Sequence, residues 1–338
     1  MRHADRYSRQ VRFAPLGEEG QKPLASSRAA IIGCGALGSF QAAALARAGT
    51  GQIRIIDRDY VELNNLQRQW LFDESDAADG IPKAVAAARK LRAVNSEIEI
   101  RAEVADVTPA NITELLEDSE VILDGTDNFE TRYLINDYAV SRGAPWLYGA
   151  VVGSYGLSMP VLPGRTCCLK CLYPEPPTGA QPTCETAGVL NTVPALIASV
   201  QVSAALQILS GNASAVAHRI TTADVWTGVI RQIEQPAPVP DCPACGRGEF
   251  SHLDGKHRAP ISLCGRNAVQ IHEQARPVDI AALAERLRSL GQIRVNEFAL
   301  RFFIERYELT VFPDGRAIIK GTNDIGLARS LYARYVGS

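Results

Sequence analysis

Ala29-Ala-Ile-Ile-Gly-Cys-Gly-Ala-Leu-Gly-Ser-Phe40 reads as the end of a buried strand, a tight turn, and the start of a helix that continues through alanines to Ala48. Gly33, Gly35 and Gly38 stand in G-x-G-x-x-G spacing. Glycine at these positions lets the chain bend sharply and lets a nucleotide approach the backbone, while the helix start offers unpaired N–H groups to an anion. Residues 52–57 read as the next strand and end in Asp57, 19 positions after Gly38, where an acid can accept from ribose hydroxyls. The same turn and acid also occur where only packing is at stake, so together they decide the fold before the ligand.

Outward from this stretch, strands alternate with helices. A polar loop over 59–69 follows the second strand and carries Asn64, Asn65 and Arg68. Pro82 suits the first turn of a helix that runs through Asn95 with Lys83 at its start. A strand is expected at 97–104, then a helix capped by Thr108 with Pro109 at its first position, then a short buried strand at 121–123 leading into Asp124-Gly-Thr-Asp127. Alternation of this kind predicts a doubly wound, mostly parallel sheet whose ligand lies beyond the carboxyl ends of the strands. Asp57, the 64–69 loop, Lys83 and Asp127 all fall on that side and can converge. A triphosphate would suit them: Arg68 and Lys83 answer its negative charge, and Asp124 or Asp127 can hold Mg²⁺, a hard ion that takes carboxylate and phosphate oxygens. No G-K-[ST] follows Gly38, which excludes a P-loop. The plain alternatives are solvated surface charge for Arg68 and Lys83, and a helix N-cap for Asp127 ahead of 129–142.

Beyond residue 144 the pattern changes. Residues 145–152 and 155–162 read as neighbouring strands around Gly153-Ser154. Cys168-x-x-Cys171 is followed far downstream by Cys242-x-x-Cys245, and two such pairs are the signature of a closed tetrahedral Cys₄ zinc site. Cys167 is spare in the first pair. Cys184 lies in a proline- and glycine-rich stretch, where it reads either as a nucleophile or as a small apolar filler. The 338 residues allow one large domain and a smaller one, and a net charge of -2 offers no general attraction to nucleic acid or an anionic membrane. Met1 to Lys22 lacks a signal-peptide pattern, and 193–209, interrupted by Gln201, Ser203 and Gln207, reads as a core helix rather than a membrane span. Eight cysteines without a secretory context suggest thiols and metal in a reducing, cytoplasmic setting.

Taken together, Arg6-Tyr-Ser-Arg9-Gln10, the glycine turn, Asp57-Arg-Asp59, Asn64-Asn-Leu-Gln-Arg68-Gln69, Gly80-Ile-Pro-Lys83, Thr126-Asp127-Asn128, Thr183-Cys184-Glu185 and both cysteine pairs closely resemble the ThiF/MoeB/HesA family, bacterial relatives of ubiquitin-activating enzymes. The resemblance covers about residues 7–246. It implies a Rossmann-like domain with an antiparallel extension and a structural zinc. It also implies an ATP-dependent enzyme that adenylates the C-terminal Gly-Gly carboxylate of a ubiquitin-fold sulfur carrier, ahead of sulfur transfer from a sulfurtransferase or cysteine desulfurase. By the family pattern Gly33, Gly35, Gly38, Asn64 and Asn65 line the nucleotide site, Asp57 binds ribose, Arg68 and Lys83 bind phosphates, and Asp127 holds Mg²⁺. Arg9 reaches the ATP of a neighbouring subunit in a homodimer. Cys184 matches a loop cysteine that joins thioester or persulfide chemistry in some members.

The family motifs divide the chain into 1–249 and a tail of 250–338. The tail reads as a strand at 261–271, a helix at 278–290, strands at 298–304, 308–312 and 316–319, and a helix at 324–335, a small α+β module. It looks like the extension of some thiamine-pathway members, which favours a thiamine carrier over a molybdopterin one; docking the carrier is its expected role. An NAD-dependent oxidoreductase shares the glycine turn and Asp57 but leaves Arg68, Lys83 and the cysteine pairs unexplained. A non-catalytic scaffold has no use for Arg9, Arg68, Lys83 and Asp127 together.

Overall fold

β1 (Arg28–Ile32) lies inside the fold, with its last four residues buried. Ala29 and Ile31 enter one core and Ala30 and Ile32 another, the two-sided burial of a strand covered by helices on both faces. The computed structural model describes residues 6–177, 186–255, 262–263, 267–271, 277–313 and 315–337. The chain divides into two units, Met1–His257 and Arg258–Ser338. In the first, β1 joins β2 (Gln52–Ile56), β3 (Glu99–Glu103), β4 (Val121–Asp124), β5 (Trp146–Val152), β6 (Tyr155–Val161), β7 (Arg219–Asp224) and β8 (Val229–Glu234). The sheet order is β3-β2-β1-β4-β5-β6-β7-β8. Pairing is parallel as far as β5 and antiparallel from β5 to β8. Chain order reverses between β1 and β4, which opens a crevice beyond their carboxyl ends.

On one face, the helices Ala36–Ala48 and Lys83–Val94 meet through Ala42, Ala46, Ala84, Ala87 and Ala88, and Thr192–Leu209 joins them with Val202, Ala205 and Leu209. Small side chains are what allow three helices to close on one sheet face. Thr192–Leu209 is long and apolar enough to cross a membrane, but it packs on β4, β5 and β6 as a core helix, with Gln201 fully buried. The opposite face is covered by Ile112–Leu116 and Phe129–Arg142, whose Tyr133 and Ile135 share a core with Trp146. β8 ends the sheet on the side opposite β3; it is exposed along its whole length, and among the described residues no strand pairs with its outer edge.

Three local expectations are corrected. Ahead of β1, where the sequence pattern predicts no element, Ser8–Val11 and Gly17–Leu24 are helical, and Tyr7 is buried. Gly49 ends Ala36–Ala48 with φ +85°, and a Cβ on it would lie 2.5 Å from the Tyr7 ring. Tyr7 Oη accepts from Asn95 Nδ2 at 2.8 Å, and Gln10 Nε2 donates to the Ala48 carbonyl at 2.8 Å. Next, the helix expected from Pro109 begins at Ile112, because Thr108 donates from its N–H and its hydroxyl to Asn111 Oδ1, at 2.8 and 3.1 Å. Finally, Asn128 rather than Asp127 caps Phe129–Arg142, by accepting from the Thr131 N–H at 2.9 Å.

The second unit holds β9 (Ser262–Leu263), β10 (Ala268–Ile271), β11 (Gln292–Val295), β12 (Leu300–Ile304), β13 (Tyr307–Val311) and β14 (Ala317–Lys320). They form an antiparallel sheet in the order β11-β12-β13-β14-β10-β9. The helices Ile280–Leu287 and Ile325–Tyr335 start at Asp279 and Asp324, whose carboxylates accept from first-turn N–H groups. Leu283, Leu287, Leu331 and Tyr335 pack on Phe302, Leu309 and Ile319. The single strand expected at 261–271 is the hairpin β9–β10, and β11 was not expected at all, since its four residues alternate too briefly to register.

Candidate functional site

The three glycines of the turn meet different demands. Gly33 takes φ +85°, and a Cβ on it would stand 2.6 Å from the Gly125 carbonyl oxygen; one on Gly38 would stand 1.8 Å from the Gly33 oxygen. Backbone packing therefore requires both. Around Gly35 the nearest atom to a Cβ is Gln69 Nε2 at 3.8 Å, so the protein leaves room there, at the start of Ala36–Ala48, for a phosphate to approach.

Asp57 follows β2 directly. Its Oδ2 accepts from the Cys34 N–H and its Oδ1 from the Asp59 N–H, both at 2.6 Å, which fixes the carboxylate beside the glycine turn. Burial raises this carboxyl above the ordinary aspartate value, and the positive charge of Lys83 opposes the shift. Lys83 is buried, with Nζ donating to Asp59 Oδ2 at 3.2 Å. Arg58 sits against the same acid at 3.8 Å and against Asp106 at 2.9 Å. The 64–69 loop holds itself: Arg68 Nη1 donates to the Asn64 carbonyl at 2.7 Å, Asn65 Nδ2 to Asn64 Oδ1 at 2.8 Å, and the Gln69 N–H to the Asn65 carbonyl at 3.0 Å. Gln69, at the end of this loop, is the nearest side chain to the open space at Gly35, and Asp59 ties Lys83 to the end of β2.

The loop after β4 packs against the glycine turn, since a Cβ on Gly125 would lie 2.2 Å from the Gly33 oxygen. Asp127 is exposed two residues further on. Asp124, the other acid considered for a metal, is fully buried: Oδ1 accepts from the Thr126 N–H and hydroxyl at 2.9 and 2.7 Å, and Oδ2 lies 3.7 Å from Arg132 Nε. Burial raises the Asp124 carboxyl, and Arg132 and Thr126 work against the rise. It is committed internally, which leaves Asp127 as the acid of this turn facing outward. Arg9 stands elsewhere. Its neighbours Tyr7 and Gln10 lie at the carboxyl end of Ala36–Ala48, about 20 Å from Gly35 at the ~1.5 Å rise of a helix. Arg9 thus does not join the cleft of its own chain. Cys184 lies outside the described residues.

The sulfur atoms of Cys168, Cys171, Cys242 and Cys245 all lie within 4.8 Å of one another. Neighbouring pairs stand 3.8, 3.6 and 3.3 Å apart, close to the ~3.8 Å expected across a tetrahedron with Zn–S bonds of about 2.3 Å. Burial pushes the Cys168 thiol up and the Cys245 thiol up to about 12. A soft divalent cation that displaces those protons fits this donor set. The cluster is anchored from behind. Lys170 Nζ reaches Asp137 Oδ1 and Oδ2 at 2.8 and 2.9 Å, both residues buried, and the Leu169 N–H donates to Asn136 Oδ1 at 2.8 Å. Burial disfavours the charge on Asp137, but His252 and Lys170 outweigh it and hold the carboxyl below its usual range. The first cysteine pair is thereby fastened to Phe129–Arg142, the helix that follows Asp127.

Sequence reasoning missed the use of Asp59 as the counter-ion of Lys83, although its place in Asp57-Arg-Asp59 was visible. It read Gln201 only as an interruption in an apolar helix.

The ThiF family model matches residues 7–244. A sulfur carrier protein ThiS adenylyltransferase of Bacillus subtilis (strain 168) is 44% identical over 336 residues, 98% of this chain and 99% of that one. A SAMP-activating enzyme E1 of Haloferax volcanii is 36% identical over 74% of this chain and 92% of its own. A sulfur carrier protein adenylyltransferase of Thermus thermophilus is 36% identical over 72% and 90%. Among solved structures, E. coli MccB with ATP superposes with a TM-score of 0.62 at 22% identity, over 71% of this chain and 74% of that one, a likeness of fold.

Proposed function

The chain belongs to the ThiF family, and from that premise we propose that it adenylates the C-terminal Gly-Gly carboxylate of a small ubiquitin-fold sulfur carrier, most simply a ThiS-type carrier of thiamine synthesis. One observation carries the reading: a match to a ThiS adenylyltransferase along 98% of the chain falls on a protein whose open Gly35, fixed Asp57 and buried Lys83 gather beyond the carboxyl ends of β1 and β2. ATP enters as substrate. Asp57 accepts from the ribose hydroxyls, the N–H groups at the start of Ala36–Ala48 meet phosphate oxygens, and Lys83 and Arg68 neutralise charge. A carboxylate oxygen of the carrier attacks the α-phosphorus, the bond to the bridging oxygen breaks, and pyrophosphate leaves with that electron pair. Such a step needs positioning and charge neutralisation more than a strong base. Asp127 would hold Mg²⁺, which supplies positive charge to the phosphates. Zinc in the four-cysteine cluster would brace the fold. In this reading Arg9 serves the partner subunit's site in a homodimer, Cys184 is a candidate nucleophile for the later sulfur transfer, and a sulfurtransferase or cysteine desulfurase supplies the sulfur. The setting is cytoplasmic.

The β7–β8 hairpin supports a protein substrate. Trp226 is 80% exposed on a turn fixed by Asp224 Oδ1, which accepts from Ser154 Oγ at 2.8 Å and the Trp226 N–H at 3.0 Å. Val229, Ile230 and Ile233 are exposed further along the same hairpin. A held, uncovered tryptophan on a hairpin that also exposes aliphatic side chains suits a hydrophobic partner face. The deciding experiment is ATP–pyrophosphate exchange with a carrier ending in Gly-Gly, together with detection of the carrier adenylate by mass. Carrier-dependent exchange is expected; none at all, with intact folded protein, would overturn the proposal.

A further inference from the structure

Two glutamines occupy places where helix packing alone calls for an apolar side chain. Gln41 in Ala36–Ala48 and Gln201 in Thr192–Leu209 are both fully buried. Gln201 Nε2 donates to the Asp124 carbonyl at 3.0 Å and the Leu147 carbonyl at 2.7 Å. Gln41 Nε2 donates to the same Asp124 carbonyl at 3.0 Å and to Gln201 Oε1 at 2.7 Å. β5 makes room for this amide with Gly149, where a Cβ would lie 2.6 Å from Gln201 Nε2. Burying an amide is unfavourable wherever one of its atoms goes unpaired, and Gln41 Oε1 has no hydrogen-bond partner among the described residues. Stability alone does not favour such a pair.

Its position suggests what it does. β4 and β5 pair only at Ile122 with Trp146 and Leu123 with Leu147, and beyond these they part. Gln201 bridges the two carbonyls at the parting. From Asp124 the chain turns within three residues to Asp127. On the other flank Arg132 Nη2 donates to the carbonyls of Thr126 at 2.8 Å and Gly149 at 3.2 Å. We propose that Gln201, seconded by Gln41, is a positioning residue for adenylation: the buried amides fix the 124–127 turn and so set where Asp127 stands over the bound nucleotide. This rests on the adenylation reading above.

The test uses the full chain, Mg²⁺, ATP and a carrier ending in Gly-Gly. Gln201→Met is expected to lower kcat for pyrophosphate exchange by about tenfold or more and to raise the Mg²⁺ needed for half-maximal rate by about threefold, with the KM for ATP within about twofold of the parent. Gln41→Met, which leaves both Gln201 donor bonds, should shift both quantities in the same direction by less. Unchanged kcat in a folded Gln201→Met protein overturns the inference, and so does a fall in kcat accompanied by an equal loss of ATP binding and an unaltered Mg²⁺ requirement. If Gln201→Met does not fold, the same two readings on Gln41→Met decide. An inactive parent chain would instead sink the adenylation reading itself.

Discussion

Gly35 and Gly38, three residues apart, separate what the fold requires from what a ligand requires. Gly38→Ala forces a Cβ to within 1.8 Å of a backbone oxygen and should leave little soluble protein. Gly35→Ala meets no protein atom closer than 3.8 Å, so it should fold and melt close to the parent while ATP affinity, read by titration calorimetry, drops about tenfold or more. Lys83→Ala should likewise depress exchange strongly, and a near-parental rate would remove Lys83 from the site. Asp57 gives a pH signature. Its raised carboxyl binds a proton more readily folded than unfolded, so its contribution to folding is complete below the ordinary aspartate range and is lost as pH rises through the raised value. Nucleotide binding runs the other way, because ribose hydroxyls donate to the ionised form: affinity should fall as pH drops through that value. Asp57→Asn should lack this acid limb, and the same limb in both proteins would refute the assignment. The placement of the glycines and of Asp57 was legible because the strand–turn–helix and the end of the next strand follow from spacing along the chain. That Asp124 is buried and Asp127 exposed was not, since burial depends on what packs around the turn.

Among the elements, the four-cysteine cluster is best probed through its anchor. Asp137→Ala leaves the Lys170 ammonium buried without its carboxylate and should cost about 3–5 kcal/mol, read as a lower urea midpoint. Cys242→Ser should lower both zinc content and melting temperature; a full metal complement would refute a Cys₄ site. The spacing of the pairs made the cluster readable in advance, because two cysteines three apart can face one ion from a single turn. The anchor was hidden, for Lys170 looks like any surface charge until Phe129–Arg142 brings Asp137 to it. The N-terminal helices were hidden for a similar reason: they are short and polar, and it is Tyr7 beneath Gly49 and Leu24 in the core that fix them.

At the scale of the whole molecule, the alternation of strands and helices foretold the parallel half of the sheet, and the hairpin pattern after residue 144 foretold the start of its antiparallel half. The placement of Arg9 far from its own cleft leads to a mixing experiment. If Arg9 completes the partner subunit's site, Arg9→Ala and Asp127→Ala chains are each inactive alone, yet after exchange of subunits an equal mixture should regain about a quarter of parental exchange activity, since half the dimers are mixed and each carries one intact site. No recovery, with subunit exchange verified by mass, would refute the shared site.

The uncovered edge of β8 has a practical side. A free strand bearing Ile230 and Ile233 invites another strand, and in the absence of a natural occupant the readiest one is β8 of a further molecule. Concentrated stocks should therefore cloud on standing, and co-expression with the carrier should improve yield. A lysine at position 230 should keep the preparation clear.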